Sequence, residues 1–321
     1  MSTPYTHFTT SEREMLLVFR SKGMGIRKMA EALNRSPSSV SRELRRNRND
    51  DGSYSPSQSE KNYLQRRQHC VRKRLLEDPN LFAHVKSRLL EFWSPEQISG
   101  RLVAKKSHLK ISFPTIYRAI HSGLLDIPKN CLRRKGRKPS PHKDETRGRL
   151  HGHKTIHDRP LSAEKRSRFG HWEGDTVLGA RAKGVAATFV DRKSGFLVAS
   201  RMPDRKAATM NLHWHNAFAK FPASLKRSFT VDHGNEFFSY AAIEDQLHTK
   251  VFFADPYSPW QRGSNENTNG LLRQYFPKKF DFLSISDQEF QNAIDSLNNR
   301  PRKRLGFRTP AECFPTHLIN D

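Results

Sequence analysis

The sequence predicts an α+β protein of several domains, in which helical units at the N-terminus precede a mixed sheet flanked by helices. Helix-capping patterns recur through residues 9–123, and strand-like and helix-like stretches alternate after residue 170. A basic stretch without apolar periodicity separates these two regions. A chain of 321 residues is long enough for two or three domains.

Positive charge is the strongest global feature of the chain. Lys and Arg number 57 against 32 Asp and Glu, which gives a formal net charge of +25. A protein this basic most often binds a polyanion, and nucleic acid is the commonest one. A ribosomal protein or a protein of a membrane surface is the alternative on charge alone.

Cysteine usage and the N-terminal sequence predict a cytosolic protein. Cys70, Cys131 and Cys313 form no C-x-x-C pair, and an odd number of cysteines suits a reducing compartment. The first residues lack the basic-then-apolar pattern of a secretion signal. No apolar run approaches the length of a membrane span, so we expect no membrane partner.

Residues 9–47 predict a helix-turn-helix unit. Ser11 and Glu14 have the spacing of a capping box at the start of its first helix. In the second helix, Ile26 and Leu33 are seven residues apart and are expected to face the core together.

The stretch SPSSVSRELRRN predicts the third helix of this unit. Ser36 is a suitable N-cap and Pro37 suits the first helical position, while Val40 faces inward. The outward face carries side chains of the types that contact phosphates and base edges: Ser38, Arg42, Arg45 and Arg46. These side chains indicate DNA binding, and a three-helix bundle with a solvated basic face is the alternative.

A second unit of the same kind is predicted over residues 94–123. Its first helix has a capping box at Ser94 and Gln97. The helix after Ser112 presents three outward side chains that suit DNA contacts: Thr115, Tyr117 and Arg118. Two such units would read two stretches of one DNA site, whereas plain scaffold helices are the alternative.

A basic linker is predicted over residues 128–167, where Arg, Lys, Gly and Pro are abundant. We expect it to lie on DNA phosphates through Arg133, Arg134, Lys135, Arg137 and Lys138. The chain then divides into a helix-turn-helix domain (1–50), a helical region with the second unit (51–127), this linker, and a core with a basic C-terminal segment (168–321).

Five strands are predicted within residues 168–321. HWEGDTVLGA is the first, and GVAATFVDRKSGFLVASRM forms a hairpin that turns at residues 193–195. SFTVDHG and KVFFADP are later strands, each followed by a helical stretch. Strands of a hairpin followed by strands alternating with helices predict a mixed sheet with helices against it.

Three acids of this region occupy positions typical of a ligand site. Asp175 lies in the first strand, Asp232 at the end of the TVDHG strand, and Glu266 in the first turn of a later helix. If the two strands are neighbours, the aspartates lie within a few ångströms and a crossing helix brings Glu266. Gathered carboxylates need a cation, and their hard oxygens suit Mg²⁺ beside a substrate phosphate.

The surroundings of Glu266 are basic, and each of the three acids also has a structural interpretation. Arg262, Arg273 and other nearby Lys and Arg side chains are predicted to hold the DNA. However, an Asp at a strand end often forms a turn, and a Glu in a first helical turn often meets the helix dipole. Glu173 lies on the same strand face as Asp175 and is an alternative ligand. Glu236 follows a turn and is open to interpretation as a plain helix-start acid.

Together these blocks resemble bacterial transposases of the insertion sequence 30 family. The resemblance is carried by GHWEGDTV, TVDHGNEF and PYSPWQRGSNENTNGLLRQYFPK, with 33 residues between Asp232 and Glu266. It extends through the N-terminal helix-turn-helix unit and the segment LNNRPRKRLGFRTPAE. It implies an RNase H-like core with an Asp-Asp-Glu triad, as in retroviral integrases, and Asp175, Asp232 and Glu266 match that triad. The family pattern often has Asn where this chain has His233.

The resemblance also implies an activity. The N-terminal units would bind the terminal inverted repeats of an insertion element, and the core would nick one strand and join the 3′ hydroxyl to target DNA. The implied cofactor is Mg²⁺, replaceable by Mn²⁺, with two ions per active site held by the triad. A homodimer or higher oligomer on double-stranded DNA is expected, in the bacterial cytoplasm on the nucleoid.

The block before Glu266 contains residues suited to DNA ends. Trp260 is predicted to stack on an unpaired base and Arg262 to bind a phosphate, whereas packing of Trp260 under the active-site helix is the alternative. Two rival functions remain open: a DNA-binding regulator with a non-catalytic core, and a metal-dependent endonuclease without strand transfer.

Overall fold

The structure, a computed structural model, describes residues 6–70, 75–128, 131–133, 154–181, 183–256 and 258–319. Two compact units make up the chain, Met1–Glu77 and Asp78–Asp321. No helix in the described ranges has the length and apolar character needed to cross a membrane.

The N-terminal unit is built mainly from helices. Its helices are α1 (Thr10–Ser21), α2 (Ile26–Ala32), α3 (Pro37–Arg46) and α4 (Pro56–Cys70). The N-cap of α1 is Thr9, whose capping box uses Glu12, so the prediction of Ser11 and Glu14 was two residues late. Arg35 holds Glu12 through an ion pair of 2.8 Å, and this contact fixes which acid caps the helix.

A small apolar core and a buried ion pair hold this unit together. Leu16, Met29 and Val40 are buried in one cluster, whereas Ile26, predicted to face inward, is 41% exposed. Met29 takes its place because α2 begins only at Ile26, so its first turn lies at the edge of the cluster. Arg13 is buried and forms ion pairs with the carboxylates of Glu43 and Glu60.

Three helices begin the second unit: α5 (Pro79–Leu90), α6 (Pro95–Ala104) and α7 (Phe113–His121). The predicted capping box at the start of α6 is confirmed. Helix α6 lies against the C-terminal segment, since Gln97 donates to the Pro301 carbonyl (2.7 Å) and Arg101 to the Phe307 carbonyl (3.0 Å). These helices and the segment around 301–312 therefore form one packed body.

A mixed five-stranded sheet is the centre of the second unit, as predicted. Its strands are β1 (His171–Leu178), β2 (Val185–Asp191), β3 (Leu197–Met202), β4 (Ser228–Val231) and β5 (Val251–Phe253), in the order β3-β2-β1-β4-β5. The β1–β2 and β2–β3 pairs are antiparallel, while β1–β4 and β4–β5 are parallel. The predicted hairpin is the β2–β3 pair.

Helices cover both faces of this sheet. They are α8 (Leu161–Glu164), α9 (Ala207–Phe218), α10 (Tyr240–Leu247), α11 (Gly263–Tyr275), α12 (Asp287–Asn298) and α13 (Pro310–Cys313). Trp172 of β1 packs with the α9 and α10 side, whereas Val177 of β1 packs with α11 and α12. Side chains on a strand alternate between faces, so Glu173 and Asp175 share the α11 face with Val177.

The contact of α6 with the C-terminal segment depends on a residue without a side chain. A methyl group at Gly100 would overlap the ring of Phe307. We expect overpacking in Gly100→Ala to lower the free energy of unfolding by about 1–3 kcal/mol. The higher helix propensity of Ala offsets about 1 kcal/mol of this loss. Urea denaturation measures this change.

Gly263→Ala is the matched control for that substitution. Gly263 begins α11, and a methyl group there meets nothing within 4 Å. The control should be neutral or slightly stabilising, because only helix propensity changes. Equal stabilisation by both substitutions would show that α6 does not press on Phe307.

Candidate active site

Strands β1 and β4 place two of the three predicted acids side by side. The strands run parallel, with Glu173 opposite Thr230. Asp175 and Asp232 each lie two residues further along, so both stand at the same level and on the same face. The expectation that these strands are neighbours is confirmed.

Arg262 joins the two aspartates. Its Nη2 lies 3.1 Å from Asp232 Oδ2, and its Nη1 lies 3.5 Å from Asp175 Oδ1. Nη1 also donates to the Gly174 carbonyl at 3.0 Å. The paired carboxylates therefore already neighbour a positive charge of the chain itself.

Asp175 is held firmly in this pair. The Thr176 amide donates to its Oδ1 at 2.8 Å and Asn269 Nδ2 donates to its Oδ2 at 3.0 Å. Burial raises the pKa of the Asp175 carboxyl above its usual range, while Arg262 acts to lower this pKa and the charge of Asp232 acts to raise it. An added cation would relieve the repulsion between the two acids.

Glu173, the alternative ligand, instead anchors the start of α11. Its carboxylate is fully buried, is ion-paired with Arg192, and accepts a hydrogen bond of 2.9 Å from the backbone amide of Asn265. Arg192 also donates to the Ala163 carbonyl at 2.9 Å. With one oxygen on Arg192 and the other on the helix terminus, Glu173 is engaged away from the aspartate pair.

Two asparagines tie α11 to the sheet, and sequence reasoning missed both. Asn265 is buried, and its side-chain Nδ2 donates to the backbone carbonyls of Glu173 (2.7 Å) and Thr188 (3.1 Å). The single proton of the Thr188 hydroxyl has two acceptors within reach, Asn269 Oδ1 at 3.0 Å and Asn265 Oδ1 at 3.2 Å. Their i, i+4 spacing in a predicted helix was an available signal, since Asn is unfavourable in helix interiors without such partners.

Glu266 lies in the first turn of α11, four residues after Arg262 and three before Asn269. Residues three and four apart are neighbours on a helix surface, so Glu266 is close along the helix to both residues. Arg262 and Asn269 both contact Asp175. The Glu266 side chain itself is exposed. Among the described residues, no three His, Cys, Asp or Glu side chains are close enough to hold a metal ion.

Glu236 is a fourth acid beside the pair. It is buried, accepts a hydrogen bond of 2.8 Å from Thr176, and lies 3.4 Å from Arg205 Nε. A Cβ at Gly234 would lie 2.5 Å from Glu236 Oε2 and 2.9 Å from Asp232 Oδ1. Gly234 therefore leaves the space in which both carboxylates fit, and Glu236 forms a wall of the site.

The predicted DNA contacts of the helical units lie on surfaces. Ser38, Arg42, Arg45 and Arg46 are exposed on α3. On α7, Tyr117 and Arg118 are exposed and Thr115 is half-buried. The positions suit contact with a partner, and these contacts remain predictions.

The remaining predicted contacts have varied surroundings. Arg133 donates to Asn267 Oδ1 of α11 at 2.9 Å, while Arg134, Lys135, Arg137 and Lys138 lie outside the described residues. Trp260 is 72% exposed and so does not pack under α11. Arg273 donates to the carbonyls of Leu178 (2.7 Å) and Pro277 (3.2 Å), which favours a structural role.

Comparison with known proteins identifies the family. Residues 4–47 match the model of a helix-turn-helix domain, and residues 165–259 match that of an integrase core domain. The transposase InsI for insertion sequence element IS30A of Escherichia coli is 38% identical over 320 residues, covering 95% of this chain and 82% of that protein. The chain belongs to the IS30 family of transposases. The resemblance found in the sequence is thereby confirmed.

Other relatives agree with this family. The transposase for insertion sequence element IS1086 of Cupriavidus metallidurans is 34% identical over 332 residues, covering 99% of this chain and 97% of that protein. Among solved structures, the catalytic core domain of BIV integrase matches with a TM-score of 0.38 and 19% identity, covering 47% of this chain and 97% of that one. The predicted fold class, a helix-turn-helix domain followed by an integrase-like core, is confirmed.

The anchoring of α11 gives a prediction about stability. Glu173→Gln leaves Arg192 buried without its counter-charge, and we expect a loss of about 3–5 kcal/mol in the free energy of unfolding. The control is Glu96→Gln, because Glu96 pairs with Lys303 at an exposed site and should cost about 1 kcal/mol or less. Urea denaturation measures both. A Glu173→Gln variant as stable as the control would contradict the anchoring role.

Proposed function

We propose that this chain is a DNA transposase whose active site is formed by Asp175, Asp232 and Glu266. The proposal is supported most directly by the placement of Asp175 and Asp232 at the same level of two parallel strands, with Arg262 between them. Family membership supplies the reaction, since a transposase with an integrase core is a polynucleotidyl transferase.

The two aspartates fit a divalent cation. They offer hard carboxylate oxygens at one strand edge, and they already neighbour a cationic guanidinium. Glu266 would join them by rotation of its exposed side chain, since its helix neighbours Arg262 and Asn269 both contact Asp175. Mg²⁺ bound there, with Mn²⁺ as a substitute and two ions at full occupancy, would activate the attacking oxygen and stabilise the leaving one.

The protein's own residues would position the reaction. Glu173, Asn265 and Asn269 fix α11 against β1 and β2, so that the helix that carries Glu266 is held to the strand that carries Asp175. The exposed ring of Trp260 would stack on a base at the DNA end. Water and then a DNA 3′ hydroxyl would be successive nucleophiles, so no Ser or Tyr nucleophile of the protein is needed.

The helical units would recognise the element ends. The exposed arginines of α3 would contact the terminal inverted repeats, and α7 would contact a second stretch of the same DNA. The basic residues within 128–167 would bind the phosphates between these two stretches. We retain the domain boundaries 1–50, 51–127, 128–167 and 168–321 for these roles. Joining two ends requires at least a dimer on the DNA, which we place on the bacterial nucleoid.

Two other functions use the same residues in part. A DNA-binding regulator would need only the helical units, and a nuclease would cleave without strand transfer. The presence of all three acids argues against a pure regulator, because such a protein has no need to hold two carboxylates, Asp175 and Asp232, beside each other. Cleavage and transfer assays on one duplex separate the nuclease from the transposase.

The catalytic assignment predicts a loss of chemistry without a loss of binding. Asp175→Asn, Asp232→Asn and Glu266→Gln should each lower Mg²⁺-dependent nicking of a labelled element end by at least about a hundredfold, while end binding is retained. EDTA should abolish nicking by the unchanged protein. Ser284→Ala serves as a control substitution on the second unit. Metal-dependent nicking by Asp232→Asn at the normal rate would remove this residue from the site.

The recognition assignment predicts a change in DNA affinity. If Arg42 contacts a base, Arg42→Ala on α3 should weaken binding to the element end by about 1–3 kcal/mol. If Arg42 contacts a phosphate, the slope of the logarithm of the binding constant against the logarithm of salt concentration should fall by about one. Lys61→Ala makes the same charge change at an exposed position of α4 and should have a smaller effect. Fluorescence anisotropy at several salt concentrations measures both. Equal effects of the two substitutions would indicate a non-specific charge contribution.

A further inference from the structure

Arg262 occupies the position at which a cation would meet the paired aspartates. Its guanidinium lies 3.1 Å from Asp232 and 3.5 Å from Asp175, and its side chain is only 13% exposed. Only one further hydrogen bond within the described residues holds this guanidinium in place, the one from Nη1 to the Gly174 carbonyl. Its Nε, although buried, has no hydrogen-bond partner among those residues. The side chain is thus held chiefly by the charges of the two acids.

Such an arginine must compete with a divalent cation for the same oxygens. Two carboxylates carry two negative charges, so one guanidinium leaves the pair with one net negative charge. A divalent cation added beside an unmoved Arg262 would share the aspartate oxygens with the guanidinium, so two positive groups would lie at contact distance from each other. Repulsion between two cations at such distances is strong in a partly buried site, where water screens it less than in bulk solvent.

We propose that Arg262 is the internal counter-cation of the metal-free site, that a divalent cation displaces it, and that the displaced guanidinium binds a phosphate of the DNA. This inference rests on the proposed function, because it takes Asp175 and Asp232 as metal ligands. It assigns Arg262 two alternative anionic partners and makes metal binding and DNA binding favour each other. A planar guanidinium suits both partners, since it pairs bidentately with carboxylate and with phosphate.

The local structure leaves Arg262 room to change partners. It is the last residue of the short turn Pro259–Arg262 and the residue before the first turn of α11. A methyl group at the following residue, Gly263, would meet nothing within 4 Å, so the backbone there is open to one side. Trp260, two residues before Arg262, is 72% exposed. A DNA end stacked on Trp260 would bring its phosphates within reach of the arginine.

Reciprocity between two ligands gives the test its form. If Arg262 couples the two sites, DNA must tighten metal binding by the same factor by which metal tightens DNA binding. Removing the guanidinium should abolish this coupling and leave metal binding tight at all times. An Arg262 that only shields the aspartates, without moving to phosphate, would compete with metal but show no dependence on DNA.

The experiment measures Mn²⁺ binding to the full chain from the electron paramagnetic resonance signal of free Mn²⁺. Unchanged protein, Arg262→Gln, Arg262→Lys and the control Arg205→Gln are titrated with and without an element-end duplex, and the duplex alone is the blank. Arg205 also neighbours a carboxylate of the site, that of Glu236, but does not contact the aspartate pair.

The expected result is a DNA-dependent affinity that requires Arg262. Without DNA, Arg262→Gln should bind Mn²⁺ about tenfold more tightly than the unchanged protein, a coupling within the usual range. With DNA, the unchanged protein should gain about the same factor, whereas Arg262→Gln gains little. Arg262→Lys keeps the charge and should remain weak without DNA, and Arg205→Gln should resemble the unchanged protein.

Other outcomes overturn the proposal. If Arg262→Gln binds Mn²⁺ no more tightly than the unchanged protein, Arg262 does not compete with metal. If it binds more tightly but the unchanged protein gains nothing with DNA, the exchange onto phosphate is wrong. Asp232→Asn separates this from the proposed function: if that variant binds Mn²⁺ as the unchanged protein does, the metal site itself has been misassigned.

Discussion

The buried pairing of Glu173 with Arg192 is the constraint on which the rest of the site depends. One Glu173 oxygen meets the guanidinium and the other meets the Asn265 amide at the start of α11. A negative charge is favourable at a helix N-terminus, so the pair stabilises the helix while it joins the helix to β1. Because β1 also carries Asp175, the strand and the helix that bear the proposed catalytic acids cannot shift independently.

The register of the sheet supplies the second part of the arrangement. Parallel pairing of β1 with β4 sets Asp175 beside Asp232, and a shift by one residue would turn Asp232 to the α9 and α10 face. The large apolar residues of β1 and β4 oppose such a shift, since Trp172 and Phe229 are fully buried against that other face. Apolar packing on one face therefore fixes the acids on the other, at the cost of a raised pKa for Asp175.

The sequence predicted the parts of this structure that follow from periodicity and chemical type. Alternating apolar residues located all five strands, and acids within the first strand and directly after the fourth singled out Asp175 and Asp232. It did not predict the contacts of Asn265, Asn269 and Arg262, because their partners lie about 90 positions away in the chain and no local pattern identifies those partners. The α1 cap was misplaced for a related reason, since a distant partner, Arg35, selects Glu12.

Glu173 and Asp175 show how one strand face carries two acids with different roles. Each is paired with an arginine, and the two pairs differ in how deeply they are buried. Arg192 is itself held by the Ala163 carbonyl and is almost fully buried, so its pair with Glu173 has no route to exchange. Arg262 lies two residues after the exposed Trp260, and the two aspartates that it contacts are partly exposed. The exposure of the acid itself separates the structural carboxylate from the proposed catalytic one, since the Glu173 side chain is fully buried and that of Asp175 is 27% exposed.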